Sequence, residues 1–185
     1  MKSGVYSVRS GYRFLLEEDN KNLASSLNSS QMNQVWRKVW SLQVPCKIQM
    51  FAWRALKDSL PSKLKLWKRT VMQDPACELC SAQTEDLVHA LWNCPSIKAA
   101  WDKEDWLHLI HEDRFMDFMD LWNRILSLSP PNLELFTTMC WAIWQCQNKL
   151  HLNKPVEKIE HTGIFARGYL EEFHQSQNQS LNATR

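Results

Sequence analysis

Apolar residues in this chain recur mostly at intervals of three and four, the repeat of one face of an α-helix. The start differs: Val5 and Ser7 alternate with Tyr6 and Val8, as in a short extended segment. Ser10 then offers a cap to a helix carrying Tyr12, Leu15 and Leu16. Residues 19–34, DNKNLASSLNSSQMNQ, interrupt the pattern with Ser and Asn and predict a flexible polar linker. The helical repeat returns at Val35, Trp36, Val39 and Trp40. Pro45 suits the first turn of a helix from Cys46 to about Lys57. On it Ile48, Phe51, Ala52, Ala55 and Leu56 form the inward stripe, leaving Lys47, Arg54 and Lys57 on another face. LPSKLKLWKRTV (60–71) predicts a second short helix with Leu64, Trp67 and Val71 in phase, and Ser96 can start one through Ile97 and Trp101. Three more are predicted at 114–128, 131–152 and 155–175, punctuated by Pro130, Pro131 and Pro155, with a disordered tail at 176–185.

Composition sharpens this picture in two places. Glycine is scarce at four residues against ten tryptophans, which favours helices over a turn-rich sheet. The formal charge is only +2, but it is unevenly spread: residues 1–75 carry 13 Lys/Arg against 5 Asp/Glu, and residues 76–185 carry 9 against 15. Between Trp36 and Thr70 nine basic residues face one acid, Asp58. Such one-sided charge attracts a phosphate backbone, although a solvated helix face reads the same way. The longest apolar run, MCWAIW at 139–144, is far short of a membrane span, and MKSGVYSVRS has no signal-peptide core. The expectation is an intracellular protein, in nucleus or cytoplasm, with no membrane partner.

In that setting thiols stay reduced, and a tight cysteine cluster suggests a metal site rather than disulfides. CELCSAQTEDLVHALWNC has the spacing Cys77-x2-Cys80-x8-His89-x4-Cys94. Cys-x2-Cys lets two sulfurs reach one ion at about 2.3 Å each. Thr84 can cap a helix with Glu85 and Asp86 in its first turn, which projects His89 and returns Cys94 just before Pro95. Three thiolates and an imidazole complete a tetrahedron with no open position, so the expected cofactor is one structural zinc per chain. Glu85, four residues before His89, can accept the imidazole N–H from behind the metal; more plainly, it is a charge favouring the helix N-terminus. Cys46, Cys140 and Cys146 read as core residues, and His108, His111, His151, His161 and His174 as scattered and solvated.

Taken with what precedes it, this segment resembles the reverse-transcriptase zinc-binding domain of LINE-type (non-LTR) retroelement polyproteins, especially those of plants. The matching residues are VYSVRSGYRFL, Trp36 with Trp40, then PCKIQMFAWRALKDSLPSKLKLWKR, and finally Cys77, Cys80, Glu85, His89, Cys94 and Trp101. They cover about residues 4 to 101, and WAIWQCQNKL (141–150) is similar to the helix that leads toward an RNase H domain in such polyproteins. The resemblance implies zinc and a nucleic-acid context. Nothing in this chain looks like a polymerase Tyr-x-Asp-Asp turn, and the late acids Glu157, Glu160, Glu171 and Glu172 read as a solvated helix face. The expectation is a detached piece without the parent's polymerase or nuclease activity.

The predicted fold class is therefore mainly α: a small zinc-stapled helical domain behind a short extended segment, followed by a helical extension. Its parts are a strand/helix lead (1–18), the linker (19–34), the zinc-binding domain (35–104), the extension (105–175) and the tail (176–185). The predicted function is a non-catalytic module binding DNA or RNA. Lys47, Arg54, Lys57, Lys63, Lys65, Lys68 and Arg69 would follow the phosphates, and Trp53 or Trp67, if exposed, would stack on bases. The alternatives are a protein-interaction scaffold presenting Phe118, Trp122, Trp141 and Trp144, or a functionless relic.

Overall fold

The computed structural model describes residues 29–183 except 82, 153, 156 and 157. The strand/helix lead and linker residues 19–28 lie outside the described residues. The chain divides into two units, Met1–Ser41 and Leu42–Arg185. In the first, α1 spans Ser29–Ser41, so Ser29 to Gln34, expected as linker, are helical. Val35 and Val39 are buried on it, whereas Trp40 is exposed.

The described residues of the second unit form helices joined by loops, as the three- to four-residue repeat leads one to expect. Its elements are α2 (Cys46–Leu56), α3 (Lys63–Lys68), a π-helical turn (His89–Asn93), α4 (Pro95–Trp101), α5 (Phe118–Leu128), α6 (Leu133–His151) and α7 (Thr162–Ala183). Short 3-10 turns stand at Asp105–Leu107, Pro130–Asn132 and Ile159–His161. Among the described residues there is no strand, only an isolated antiparallel bridge between Ala76 and Thr84. α2 buries the expected stripe of Ile48, Phe51, Ala52, Ala55 and Leu56. α7 continues to Ala183, through most of the segment expected as a disordered tail.

Two helices stop in the same way. After α2, Asp58 adopts φ 45; its N–H donates to Ala55 O (2.9 Å) and that of Ser59 to Arg54 O (2.8 Å). After α3, Thr70 adopts φ 58, and the N–H groups of Thr70 and Val71 donate to Trp67 O (2.8 Å) and Leu66 O (2.9 Å). Both are left-handed C-caps of the kind usually made with glycine. The second explains a departure from the sequence pattern. The chain turns left-handed before Val71, so Val71 does not extend the helical stripe, and both it and Trp67 are exposed.

α5 also starts later than expected. Asp117 Oδ1 accepts the N–H of Asp120 (2.9 Å) and caps the helix. The preceding loop is pinned by Trp92 Nε1 donating to Asp113 O (2.9 Å) and Asn93 Nδ2 donating to Phe115 O (3.1 Å). The core is an aromatic chain. Ring centroids are 5.3 Å apart for Trp92–Trp101, 5.5 Å for Trp101–Phe136 and 6.3 Å for both Phe136–Phe118 and Phe118–Trp122. Of the residues imagined as a presented surface, Phe118, Trp122 and Trp144 are buried here and Trp141 is half-buried. Cys140 is core as expected, but Cys46 is exposed on the first turn of α2.

Candidate metal centre

The four ligand-type residues converge. The N–H of Cys77 donates to Gln83 O (2.9 Å) and that of Glu85 to Pro75 O (2.9 Å), closing a narrow loop. Ser81, at φ 53, donates its N–H to Cys77 O (2.8 Å), folding Cys80 back beside Cys77. The next helical turn is capped by Asp86, whose Oδ1 accepts the N–H of His89 at 2.7 Å. The cap is thus not Thr84, which is held in the bridge to Ala76.

Pro95 then shapes the return. It has no N–H to give to the carbonyl of Leu91 in an α pattern or of Ala90 in a π pattern. Cys94 N–H donates instead to His89 O (3.0 Å), making the wide π turn. The carbonyls left over are taken by side chains: Gln147 Nε2 donates to Ala90 O (2.6 Å) and Trp101 Nε1 to Leu91 O (3.1 Å). The turn that returns Cys94 to His89 is thereby locked to α6 and α4.

The ligand atoms of Cys77, Cys80, His89 and Cys94 all lie within 4.8 Å of one another. Cys77 Sγ is 3.8 Å from Cys94 Sγ, and Cys80 Sγ is 3.4 Å from His89 Nε2. A tetrahedral zinc with bonds of about 2.3 Å to sulfur and about 2.0 Å to nitrogen sets sulfurs about 3.8 Å apart, and sulfur about 3.5 Å from nitrogen. The residues fit one ion. Cys77, Cys94 and His89 are buried and Cys80 is half-buried. The hydrogen bond to Cys94, reinforced by burial, pushes the Cys77 thiol up to about 12, while the same bond lowers Cys94. Burial works against the His89 imidazolium, but hydrogen bonds to Cys77 and Cys80 outweigh it and raise the group overall.

Behind the loop lies a charge network that the sequence did not reveal. Lys63, 5% exposed, donates from Nζ to Ala76 O (2.9 Å) and pairs with Glu78 Oε1 (2.8 Å). His151, at the end of α6, lies 2.9 Å from Glu78 Oε1 through Nδ1 and 3.5 Å from Glu85 Oε1 through Nε2. The nearby Glu85 carboxylate raises the His151 pKa against its partial burial, with Glu78 adding to the rise. Glu85 is buried and accompanies His151 rather than His89, and its backbone carbonyl accepts the N–H of Leu64 (3.0 Å). No local signal pointed to His151, which is 62 residues beyond His89 at the far end of another helix.

The expected nucleic-acid residues do not form a single stripe. Lys63 is withdrawn into this network. Lys65 pairs with Asp58 at 2.7 Å, and Lys47 sits over the rings of Trp141 and Tyr169. Arg54, Lys68 and Arg69 are exposed, and Lys57 is half-buried. Trp53 is half-buried; Trp67, beside Lys68 and Arg69, is 45% exposed. Among the described residues, no helix is long and apolar enough to cross a membrane.

Comparison with known proteins agrees with this geometry. The family described as zinc-binding in reverse transcriptase matches residues 6–101. A protein of Arabidopsis thaliana named for ribonuclease H is 24% identical over 102 residues, which cover 54% of this chain. The match spans only 15% of that relative's length. No solved structure matches the chain significantly.

Proposed function

Given that the chain belongs to the family of zinc-binding domains in reverse transcriptase, we propose that it is a non-catalytic structural-zinc module that binds nucleic acid. Cys77, Cys80, His89 and Cys94 would hold the ion. Four protein donors fill a tetrahedron, whereas a catalytic zinc keeps one position for water or substrate. Zinc here would act by folding, tying the loop at 76–84 to the turn at 87–94, a linkage with apparent energies of about 10–16 kcal/mol in small structural sites. The ribonuclease H name of the Arabidopsis relative belongs to a protein of which this chain matches a small part. It does not make this chain a nuclease.

The observation that carries the nucleic-acid reading is Trp67. A tryptophan 45% exposed on a six-residue helix, followed directly by exposed Lys68 and Arg69, offers a stacking face beside cations. Its helix is anchored to the metal loop through Lys63, so zinc would fix its position. The test is zinc stoichiometry together with a salt titration of oligonucleotide binding. One zinc per chain, and affinity that falls steeply with salt and weakens on Trp67→Ala, is the expected result. Zinc without binding at low salt refutes the nucleic-acid part; no zinc refutes the whole.

A further inference from the structure

The strongest feature outside the metal centre is a groove of about 210 Å³ where α6 meets the start of α7. Trp141 and Phe165 line it. Their rings are 6.4 Å apart at 29°, and Phe165 stacks in turn on Tyr169 at 5.7 Å and 20°. Despite both contacts Phe165 stays 42% exposed. Trp141 and Tyr169 are themselves 5.6 Å apart, so the three rings form a closed cluster, left partly open to water at Phe165, where burial would be favourable.

Three lysines, one histidine and one acid stand around this cluster. Lys47 Nζ lies 4.8 Å from the Trp141 ring centroid and 5.0 Å from that of Tyr169. Lys149, Lys158 and His161 line the groove itself. Glu160 approaches two of them, at 3.8 Å from Lys158 and 3.9 Å from His161, loose and solvated pairs that exchange readily with a phosphate. An aromatic surface partly open at Phe165, beside solvent-exposed lysines, matches a chain that alternates flat rings with negative charge.

We propose that this groove is a second nucleic-acid contact, taking an unpaired base on Trp141 and Phe165 with its flanking phosphates at Lys47 on one side and Lys149 and Lys158 on the other. The occupant is single-stranded, because a base paired in a duplex would first have to be unpaired and unstacked to reach the rings. This rests on the nucleic-acid reading above but uses different residues, most of them beyond the family match at residue 101. An acidic peptide would satisfy the lysines and leave the exposed side of the aromatic cluster unused, so it is the poorer occupant.

The test is photo-cross-linking of the zinc-loaded full chain to a short single-stranded oligonucleotide carrying 5-iodouracil, with the adducts mapped by mass spectrometry. The expected result is adducts at Trp141 or Phe165 in addition to any at Trp67. Phe165→Ala, at an exposed position, should remove the groove adducts and weaken binding about tenfold, the order expected for removal of one base stack. Lys149→Gln with Lys158→Gln should make the salt dependence shallower by about 0.7 for each phosphate no longer neutralised, a change a purely structural role would not give. Adducts confined to Trp67, with an unchanged salt slope, overturn the groove and leave the module reading intact. No adduct and no binding overturn both.

Discussion

Alanine at Gly163 should destabilise the protein, while at Gly168, five residues later on the same helix, it should stabilise it. A Cβ at Gly163 meets Glu104 Oε1 at 2.5 Å, about 0.9 Å inside ordinary contact. The carboxylate cannot easily retreat. Its side chain is 0% exposed, and Oε2 accepts from Arg167 NH2 at 2.5 Å and from Trp106 Nε1 at 2.9 Å. Breaking one hydrogen bond to a buried charged group costs about 1.5–3 kcal/mol, while replacing glycine by alanine in a helix returns at most about 1 kcal/mol. The net for Gly163→Ala is a loss of about 0.5–2 kcal/mol, or roughly 1–8 °C in Tm for a domain of this size. Around Gly168 nothing lies within 4 Å of the added methyl. Gly168→Ala should therefore gain about 0.5–1 kcal/mol from the helix-propensity term alone. Thermal melts of the two variants decide the matter. A Gly163→Ala protein as stable as Gly168→Ala would refute the tight approach of α7 to Glu104.

The metal site, the α3 cap and His151 each make a further prediction. His89→Ala or zinc chelation should strip hydrogen-exchange protection from residues 76–94 first and leave α5 to α7 largely protected; unchanged protection at 76–94 would sink the stapling role. Thr70→Gly should raise the unfolding free energy read from urea melts by about 0.5–1 kcal/mol, because a β-branched residue is strained at φ 58. A fall would contradict the cap. His151 is held above its ordinary pKa by Glu85, so its contribution is complete below pH about 6.5 and disappears as pH rises through the raised value. Zinc-saturated wild type should therefore lose stability relative to His151→Gln across that window, and parallel pH profiles would contradict it.

What the sequence disclosed was local. Four donors within eighteen positions and the stripe of α2 are patterns a short window contains, and both are found in the structure. What escaped was set by distant partners. Lys63 reads as one more surface lysine until Ala76 O and Glu78 stand beside it. His151 reads as solvated until the metal loop folds against the end of α6. Val71 follows the helical period, but Thr70 leaves the helical region one residue earlier. Pro95 was visible as a stop signal. Its real effect, a π turn whose spare carbonyls recruit Gln147 and Trp101, depends on side chains brought in from elsewhere.

The Trp92–Trp101 pair carries an optical consequence. Two indoles 5.3 Å apart, with ring planes inclined at 40°, are close enough for their transition dipoles to couple. Such a pair gives a chiral near-ultraviolet signal that neither ring gives alone. One indole belongs to the π turn between His89 and Cys94, and the other ends α4. If zinc orders this segment as proposed, the chromophore pair lies across it, and ion uptake should be readable by circular dichroism without any label.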